Sequence, residues 1–220
     1  MTLAELHERL LVWAGAEARQ PWLLQARREH FARVGEPHEE DKSYEARMNA
    51  LLDHYLFDFR PDGVDTTLEH FLRDGGAGLT TDERAEMREL GRNLHALLEV
   101  RKIRPGVVEV EDVLSGARHE VVERRAVVAL SKGDILEARL LSHEGKLHFS
   151  ASSIYHPREV RRAILKEARR RVESAPPGQG ADVAEFLALL SRMALRLERY
   201  RNVRVESIYD FESPPGRSGG

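Results

Sequence analysis

The sharpest chemical signal in this sequence is a run of basic residues between positions 157 and 172. Apolar Val160, Ile164 and Ala168 recur within it at four-residue steps, which predicts one helix with a single buried stripe. Cationic side chains cover the rest of that helix, and such side chains bind the phosphates of RNA, DNA or another polyanion. The polyanion-binding candidates are Arg158, Arg161, Arg162, Lys166, Arg169 and Arg170.

A second interpretation of the basic helix is a solvated face that is partly paired with acidic residues elsewhere in the fold. The whole chain has a formal charge of −3, but residues 1–99 carry a net charge of −8 and residues 157–206 a net charge of +5. Opposite charges on two halves of one fold attract each other. The sequence therefore leaves open whether the basic helix is free or paired with the N-terminal half.

Two groups of histidines and carboxylates have the composition of a metal site. The acidic residues around His38, up to Glu45, are contiguous, whereas the ligands of a calcium loop alternate along the chain. His54 and Asp58 are four residues apart and would share one face of a helix. We interpret both groups as surface or capping arrangements and predict no metal site.

Catalytic motifs are absent from the sequence. With no cysteine, the chain has no disulfide, no thiolate zinc site and no cysteine nucleophile. Its ten histidines form no His-Glu-x-x-His motif, and neither a Gly-x-Ser-x-Gly elbow nor a phosphate-binding loop occurs. We therefore expect no catalytic residue and no cofactor, and we predict that the protein is not an enzyme.

Aromatic residues near the C-terminus lie beyond the last predicted helix, directly before a Pro/Gly-rich end. Nothing obvious in the sequence covers them, so two alternatives remain open: they dock back on their own domain, or they form a short motif that binds a partner protein. The partner-binding candidates are Ile208, Tyr209 and Phe211.

The elements that must position these residues follow from the hydrophobic periodicity. Most of the predicted helices have an N-cap residue or a proline in the first turn, and Thr2 with Glu5 forms a capping box. The predicted helices cover residues 3–13, 21–34, 43–57, a short segment after Thr66 or Thr67, 80/81–97, 157–172 and 182–201.

About fifty residues between these helices read as short strands separated by turns. The segment His143-Glu144-Gly145-Lys146 is a candidate tight turn between the last two strands. So short a β-element cannot bury both faces by itself, which favours closure into a barrel braced by helices. The predicted strands cover residues 98–104, 107–111, 118–124, 134–141 and 146–152.

These elements predict an α+β fold, with a small antiparallel β-barrel or strongly bent sheet flanked by N-terminal and C-terminal α-helices. The predicted organisation has four parts. They are a helical N-terminal region (1–97), the barrel (98–156), a C-terminal helical pair packed on the rest (157–206) and a flexible tail (207–220).

Several segments of the chain resemble a module of uncharacterised bacterial proteins, some of which also carry a cysteine-rich SEC-C zinc motif. The resemblance covers about residues 45–156 and implies a structural module rather than a reaction. This chain has no cysteine, so the zinc motif of those proteins is absent from it. The segments that carry the resemblance are 49–59, 68–72, 98–100, 112–116 and 133–140.

We expect a cytoplasmic protein, because the sequence has neither a signal-peptide pattern at its start nor an apolar run of the roughly 18–20 residues that span a bilayer. The leading hypothesis is a non-catalytic interaction or regulatory protein that binds another protein. The alternative is nucleic-acid binding through the basic helix and the barrel. The oligomeric state is left open.

Overall fold

A computed structural model describes residues 1–123, 130–176, 180–200 and 202–212 of the chain. Helices from both ends of the chain surround a small β-barrel, so the predicted α+β class is confirmed. No helix among these residues is long and apolar enough to cross a membrane. Three predicted features extend beyond the described residues: the end of the 118–124 strand, the end of the 182–201 helix and the tail from 213.

The N-terminal helices form the first of three apolar cores. Side chains of α1, α3, α4 and α5 meet there, and the buried Leu10, Leu56 and Leu68 are among them. The predicted capping box of Thr2 is confirmed, and Thr66 and Thr80 form boxes of the same kind. The helices are α1 (Leu3–Ala14), α2 (Gln20–Val34), α3 (Tyr44–Phe57), α4 (Thr67–His70) and α5 (Thr81–Leu90).

Five strands close into the barrel, and a sixth pairs with the N-terminal end of the fourth strand. Around the barrel the order is β1-β2-β3-β5-β4, and β4 pairs again with β1. Ten small or aliphatic side chains fill its interior, which forms the second core. The strands are β1 (Leu94–Arg104), β2 (Val107–Asp112), β3 (Arg118–Val122), β4 (Ile135–His143), β5 (Lys146–Phe149) and β6 (Ile154–His156).

The barrel is mixed rather than wholly antiparallel, which corrects one detail of the prediction. Strand β3 pairs with β5 in parallel, through Val121–Leu147 and Val122–His148, while the other pairs are antiparallel. A closed ring with an odd number of strands cannot alternate in direction all the way round. One parallel pair is therefore required in a five-stranded barrel.

The tight turn predicted between the last two strands is confirmed. Glu144 and Gly145 have φ angles of 51° and 67° between the paired residues His143 and Lys146. Two consecutive positive φ values are typical of the type I′ hairpin turn, whose twist matches that of the strands.

The helix predicted up to residue 97 is wrong at its C-terminal end. Helix α5 stops at Leu90, and β1 already begins at Leu94. The segment Leu94–Val100 is covered on both sides, by the barrel interior and by helices outside it, so apolar residues occur on both faces. Such a segment shows no two-residue alternation of apolar and polar residues. Its sequence therefore also fits the spacing of a helix.

The C-terminal helices form the third core against the outside of the barrel. Helix α7 has the widest apolar face, and Phe186 and Leu190 on it are fully buried beside Leu97 of β1. Proline 157 precedes a short 3₁₀ turn, and the basic helix begins at Arg161. The helices are α6 (Arg161–Ser174), α7 (Val183–Arg199) and α8 (Val205–Ile208).

The aromatic residues near the C-terminus are covered by their own domain as far as the structure describes them. Ile208 and Tyr209 are buried in the third core, and Phe211 is half-buried with its ring 6.3 Å from that of Phe186. The hydroxyl of Tyr209 shares a 3.0 Å hydrogen bond with the Nδ1 of His156. Of the two alternatives, these residues therefore dock back on their own domain. They do not form an exposed motif for a partner protein.

Replacing Tyr209 with Phe is expected to destabilise the fold by about 1–2 kcal/mol, because the buried His156 then loses its hydrogen-bond partner. Urea unfolding at neutral pH would measure this change. Tyr200→Phe is the matched control, since Tyr200 is exposed and its hydroxyl makes no hydrogen bond with the described residues. Equal unfolding midpoints for the two variants would contradict the prediction.

Candidate functional site

A cavity of about 370 Å³ lies where the N-terminal helices, the barrel and the C-terminal helices meet. We call it the central cavity. Its size falls within the range of small-molecule sites, and ionisable side chains converge on one of its walls. The ionisable residues that line it are His30, Arg33, Asp53, His54, Asp58, His95, Glu137 and Arg139.

Strand geometry places three of these residues on the outside of the barrel. Side chains alternate along β4, so that Leu136, Ala138 and Leu140 point into the barrel core while Glu137 and Arg139 point outward. On the neighbouring β1, His95 is the register partner of Arg139. The outer face of this strand pair thereby forms the polar wall of the central cavity.

Arg139 is the most enclosed charge in that wall, with only 3% of its surface exposed. Its guanidinium donates hydrogen bonds to the carboxylate of Asp58 and to the side-chain oxygen of Asn93. Its Nε lies 4.0 Å from the Oδ2 of Asp53, and its charge lies 5.5 Å from the ring centre of Phe57. These contacts offset the cost of burying the charge.

His54 and Asp58 form the first histidine–carboxylate pair of the site. They share one face of the end of α3, as predicted, and the Nδ1 of His54 lies 3.6 Å from the Oδ2 of Asp58. Burial works to raise the pKa of Asp58, but its contacts with His54 and Arg139 outweigh that and lower the pKa to about 2. Asp58 is therefore a carboxylate throughout the physiological pH range.

His95 and Glu137 form the second pair, with 3.0 Å between the imidazole Nε2 and the carboxylate Oε1. The third imidazole of the cavity, His30, has no carboxylate at this distance, and its ring lies 5.1 Å from that of His54. Burial lowers the pKa of His30 to about 3, and the nearby His54 and His95 add to this shift. His30 therefore stays neutral even at pH 5, where a histidine in water is mostly protonated.

Helix α7 supplies an apolar wall of the central cavity. Its first two turns contribute Val183, Ala184, Leu187 and Ala188, and Ala50 of α3 and Val34 of α2 add apolar surface one turn from His54 and His30. One wall therefore offers hydrogen bonds and charge, and the other offers dispersion contacts. Such a combination is common in sites that orient a small ligand.

A larger cavity, of about 730 Å³, lies on the other side of Asp53, between α1, α3 and the β4–β5 hairpin. It contains His7, whose pKa is lowered by burial, and His143, which contacts the backbone oxygen of Met1. Its wall at Glu123 adjoins residues 124–129, outside the described ranges. All residues given for the wall of the central cavity are described, whereas the wall of the larger cavity borders a segment that is not.

Four of the six cationic residues predicted to bind a polyanion have a carboxylate partner. Arg158 pairs with Asp134 at 2.7 Å, and Arg161 pairs with Glu99 on the outside of β1. Lys166 pairs with Glu212, at 3.1 Å, and Arg170 pairs with Glu167, at 2.6 Å. These partners belong to the barrel, the tail and α6 itself rather than to the N-terminal helices.

Arg162 and Arg169 are the two remaining members of that set. Both are exposed, and neither forms an ion pair with any residue that the structure describes. The continuous cationic face expected from the sequence is thus reduced to these two unpaired side chains.

The contiguous acidic segment around His38 is a paired loop. The carboxylate of Asp41 accepts a hydrogen bond from the backbone N–H of His38 and pairs with Arg199 of α7 at 2.7 Å. The hydrogen bond with Arg199 lowers the pKa of Asp41. This loop therefore connects the N-terminal helices to α7, whereas the N-cap residue of α3, Ser43, makes no side-chain capping hydrogen bond.

Sequence reasoning found the His54–Asp58 pair but missed the other ionisable residues of the central cavity. A signal for two of them was present in the Ile135–Leu140 segment, where Glu137 and Arg139 alternate with apolar residues. Two charges on one face of a strand that is otherwise apolar indicate a polar contact outside the barrel. No comparable signal brings His30 or His95 to the same place.

A family model described as "Family of unknown function (DUF7986)" matches residues 23–188. This range includes every residue that lines the central cavity and extends the resemblance noted for residues 45–156 on both sides. No curated protein and no solved structure matches the chain.

The low pKa of His30 predicts that acid destabilises the fold. Between about pH 6.5 and pH 3 the unfolded chain binds a proton at this residue that the folded chain does not, so stability falls as the pH is lowered. The loss is at most about 1.4 kcal/mol per pH unit for His30, and His156, whose pKa is about 4, adds a similar dependence.

Urea unfolding at pH 7 and pH 5 would measure this loss. His30→Gln is expected to lose less stability between the two pH values than the unmodified chain. His38→Gln, at an exposed loop position, should keep the original pH dependence. Identical losses for the two variants would show that His30 is not the responsible group.

Proposed function

This chain belongs to the DUF7986 family of unknown function, and we propose that it binds a small molecule in the central cavity and exchanges a proton with it. The observation that carries this proposal is the presence of two histidine–carboxylate pairs on one wall of a single cavity. Perturbed titratable groups that line a cleft are typical of functional sites.

The geometry of the first pair suits a proton acceptor. Since Asp58 faces the Nδ1 of His54, the carboxylate favours the tautomer with hydrogen on Nδ1 and a lone pair on Nε2. That Nε2 atom has no hydrogen-bond partner among the described residues. A histidine oriented in this way by a carboxylate is the arrangement that general bases use.

The second pair has the opposite orientation. Glu137 contacts the Nε2 of His95, so the Nδ1 of this imidazole is the nitrogen left for a ligand. About a third of the His95 side chain is exposed, against 14% for His54. Both imidazoles therefore have one nitrogen with a lone pair, near the mouth in His95 and deeper in the cavity in His54, and either can accept a proton from a ligand and later return it.

The walls of the central cavity restrict the class of ligand. A volume of about 370 Å³ accommodates a compound of the size of an amino acid or a nucleobase. Its apolar part would rest on Leu187 and Ala188, and its hydrogen-bonding group would face the two histidine–carboxylate pairs. The buried Arg139 is already neutralised by Asp58, so it holds the wall together rather than binding an anion.

Binding of another protein, the leading expectation from the sequence, stays a prediction. The bacterial origin, the cytoplasmic location and a regulatory role stay predictions as well, as does the relation to proteins with a SEC-C motif. With Ile208 and Tyr209 buried, a protein partner would have to use another surface.

A screen of small heterocycles, amines and carboxylic acids by NMR would test the proposed ligand site. Compounds that bind should shift the ring signals of His30, His54 and His95 in protein labelled at the histidine rings. Ala184→Trp should abolish binding, because Ala184 is an exposed residue on the apolar wall and an indole there would fill the cavity.

Ala85→Trp is the matched control, since Ala85 is an exposed helical alanine away from the central cavity. It should bind the same compounds as the unmodified chain. The proposal is contradicted if no compound shifts the three ring signals, or if the compounds bind Ala184→Trp and Ala85→Trp equally well.

Nucleic-acid binding remains a second candidate function because Arg162 and Arg169 are exposed and unpaired on one helix. Two phosphate contacts would give weak binding with a shallow dependence on salt concentration. This interpretation places the contact on α6, whose residues do not line the central cavity.

The double variant Arg162→Glu, Arg169→Glu tests this second candidate. Binding of labelled RNA or DNA, measured by anisotropy, should weaken, and the slope of log affinity against log salt should fall by about two. The double variant Arg28→Glu, Arg88→Glu, at exposed arginines of α2 and α5, makes the same change in net charge. If both double variants weaken binding equally, the contact does not involve α6.

A further inference from the structure

Three side chains of the types that bind metal ions lie close together outside the central cavity, where the loop after α3 meets α4. Asp62 and Asp65 belong to the loop, and His70 ends α4. One potential ligand atom from each of the three lies within 4.8 Å of the other two. We call these three residues the loop cluster.

The loop itself orients the first carboxylate. The Oδ1 of Asp62 accepts hydrogen bonds from the backbone N–H groups of Val64 and Asp65, at 2.9 and 2.8 Å. This arrangement uses one carboxylate oxygen to hold the turn and leaves Oδ2 facing α4. That Oδ2 lies 3.1 Å from the Nε2 of His70.

One of the three potential ligand atoms is a buried nitrogen that lacks a hydrogen bond. His70 is only 6% exposed, and the ring of Trp22 covers it at 5.0 Å. Its Nε2 is buried and has no hydrogen-bond partner in the part of the chain that the structure describes, although it lies 3.1 Å from the Oδ2 of Asp62. A buried polar atom without a hydrogen bond costs free energy unless something else satisfies it.

We propose that the loop cluster binds a divalent transition-metal ion of the zinc class. One imidazole nitrogen and two carboxylate oxygens form a ligand set that suits zinc, whereas magnesium and calcium prefer oxygen ligands alone. The 3.1 Å separation of Nε2 and Oδ2 is close to that of two ligands bound about 2 Å from one ion. Three protein ligands leave a coordination position for water.

Arg73 competes with the metal ion in this arrangement. Its guanidinium pairs with the carboxylate of Asp65 and donates a hydrogen bond to the Nδ1 of His70. Guanidinium groups only donate, so Nδ1 accepts and the ring hydrogen of His70 is on Nε2. The Arg73 side chain is half exposed and can turn away into solvent.

Metal binding requires the other tautomer of His70. The Nε2 hydrogen leaves to solvent when the metal ion takes its place, and Nδ1 takes up a proton from solvent. Asp74, whose Oδ2 lies 3.7 Å from Nδ1, can then accept the Nδ1–H hydrogen bond that Arg73 has released. A carboxylate behind a metal-bound histidine is a recurring arrangement that fixes its orientation.

Calorimetric titration of the metal-free full chain with ZnCl₂ tests the proposal. One Zn²⁺ ion per chain is expected to bind at the loop cluster, and MgCl₂ should not compete. Asp62→Asn should weaken the affinity for Zn²⁺ by about tenfold or more. The asparagine keeps an oxygen for the two backbone hydrogen bonds of the loop, so the fold is preserved.

Two further variants test whether Zn²⁺ binds at the loop cluster rather than elsewhere on the chain. Asp82→Asn, at an exposed position of α5, is the matched control and should bind Zn²⁺ as the unmodified chain does. Arg73→Gln removes the competitor and should bind Zn²⁺ about tenfold more tightly. The ring signal of His70 should shift in NMR spectra on addition of Zn²⁺, which identifies the site among the ten histidines.

The proposal is overturned if Asp62→Asn and Asp82→Asn bind Zn²⁺ equally, or if Arg73→Gln binds no more tightly than the unmodified chain. Binding that leaves the His70 signal unchanged would place the ion elsewhere and would overturn it as well. None of these outcomes depends on the central cavity, so the two proposals succeed or fail separately.

Discussion

The burial of one arginine on the outer face of the barrel is the constraint on which the surrounding arrangement depends. An ionised guanidinium taken out of water costs several kcal/mol unless charged and hydrogen-bonding partners meet it. Arg139 finds those partners at the end of α3, in Asp58, and just before β1, in Asn93. The N-terminal helices and the barrel are thereby fixed relative to each other at one point.

The pairing of Arg139 with Asp58 also determines how the histidines of the central cavity are oriented. Because Asp58 must neutralise Arg139, it stays ionised, and its second contact orients the imidazole of His54. Glu137, two residues before Arg139 on the same face of β4, does the same for His95. Two oriented imidazoles on one wall therefore follow from packing a charged strand face against helices.

Much of the fold was predictable from local patterns. Helix starts follow from capping residues such as Thr2 and Thr80, and the hairpin turn follows from Glu144-Gly145. The strand segment Leu94–Leu97 was misread as helix because both of its faces are covered, which removes the alternation that identifies a strand. Of the candidate site, local spacing reveals the His54–Asp58 pair, and the alternation of Glu137 and Arg139 with apolar residues is a signal for two more of its residues.

The sequence by itself determined the class of fold, most of the elements and the faces on which charged residues lie, because periodicity and capping are properties of neighbouring residues. Only the tertiary structure decided which faces meet. It brought His30, His95 and Glu137 together around Arg139, paired most of the basic helix with carboxylates and buried Tyr209 against His156. Apart from near neighbours such as Glu137 and Arg139, or Glu167 and Arg170, these residues are 24 to 109 positions apart, so only the packing of the whole chain brings them together.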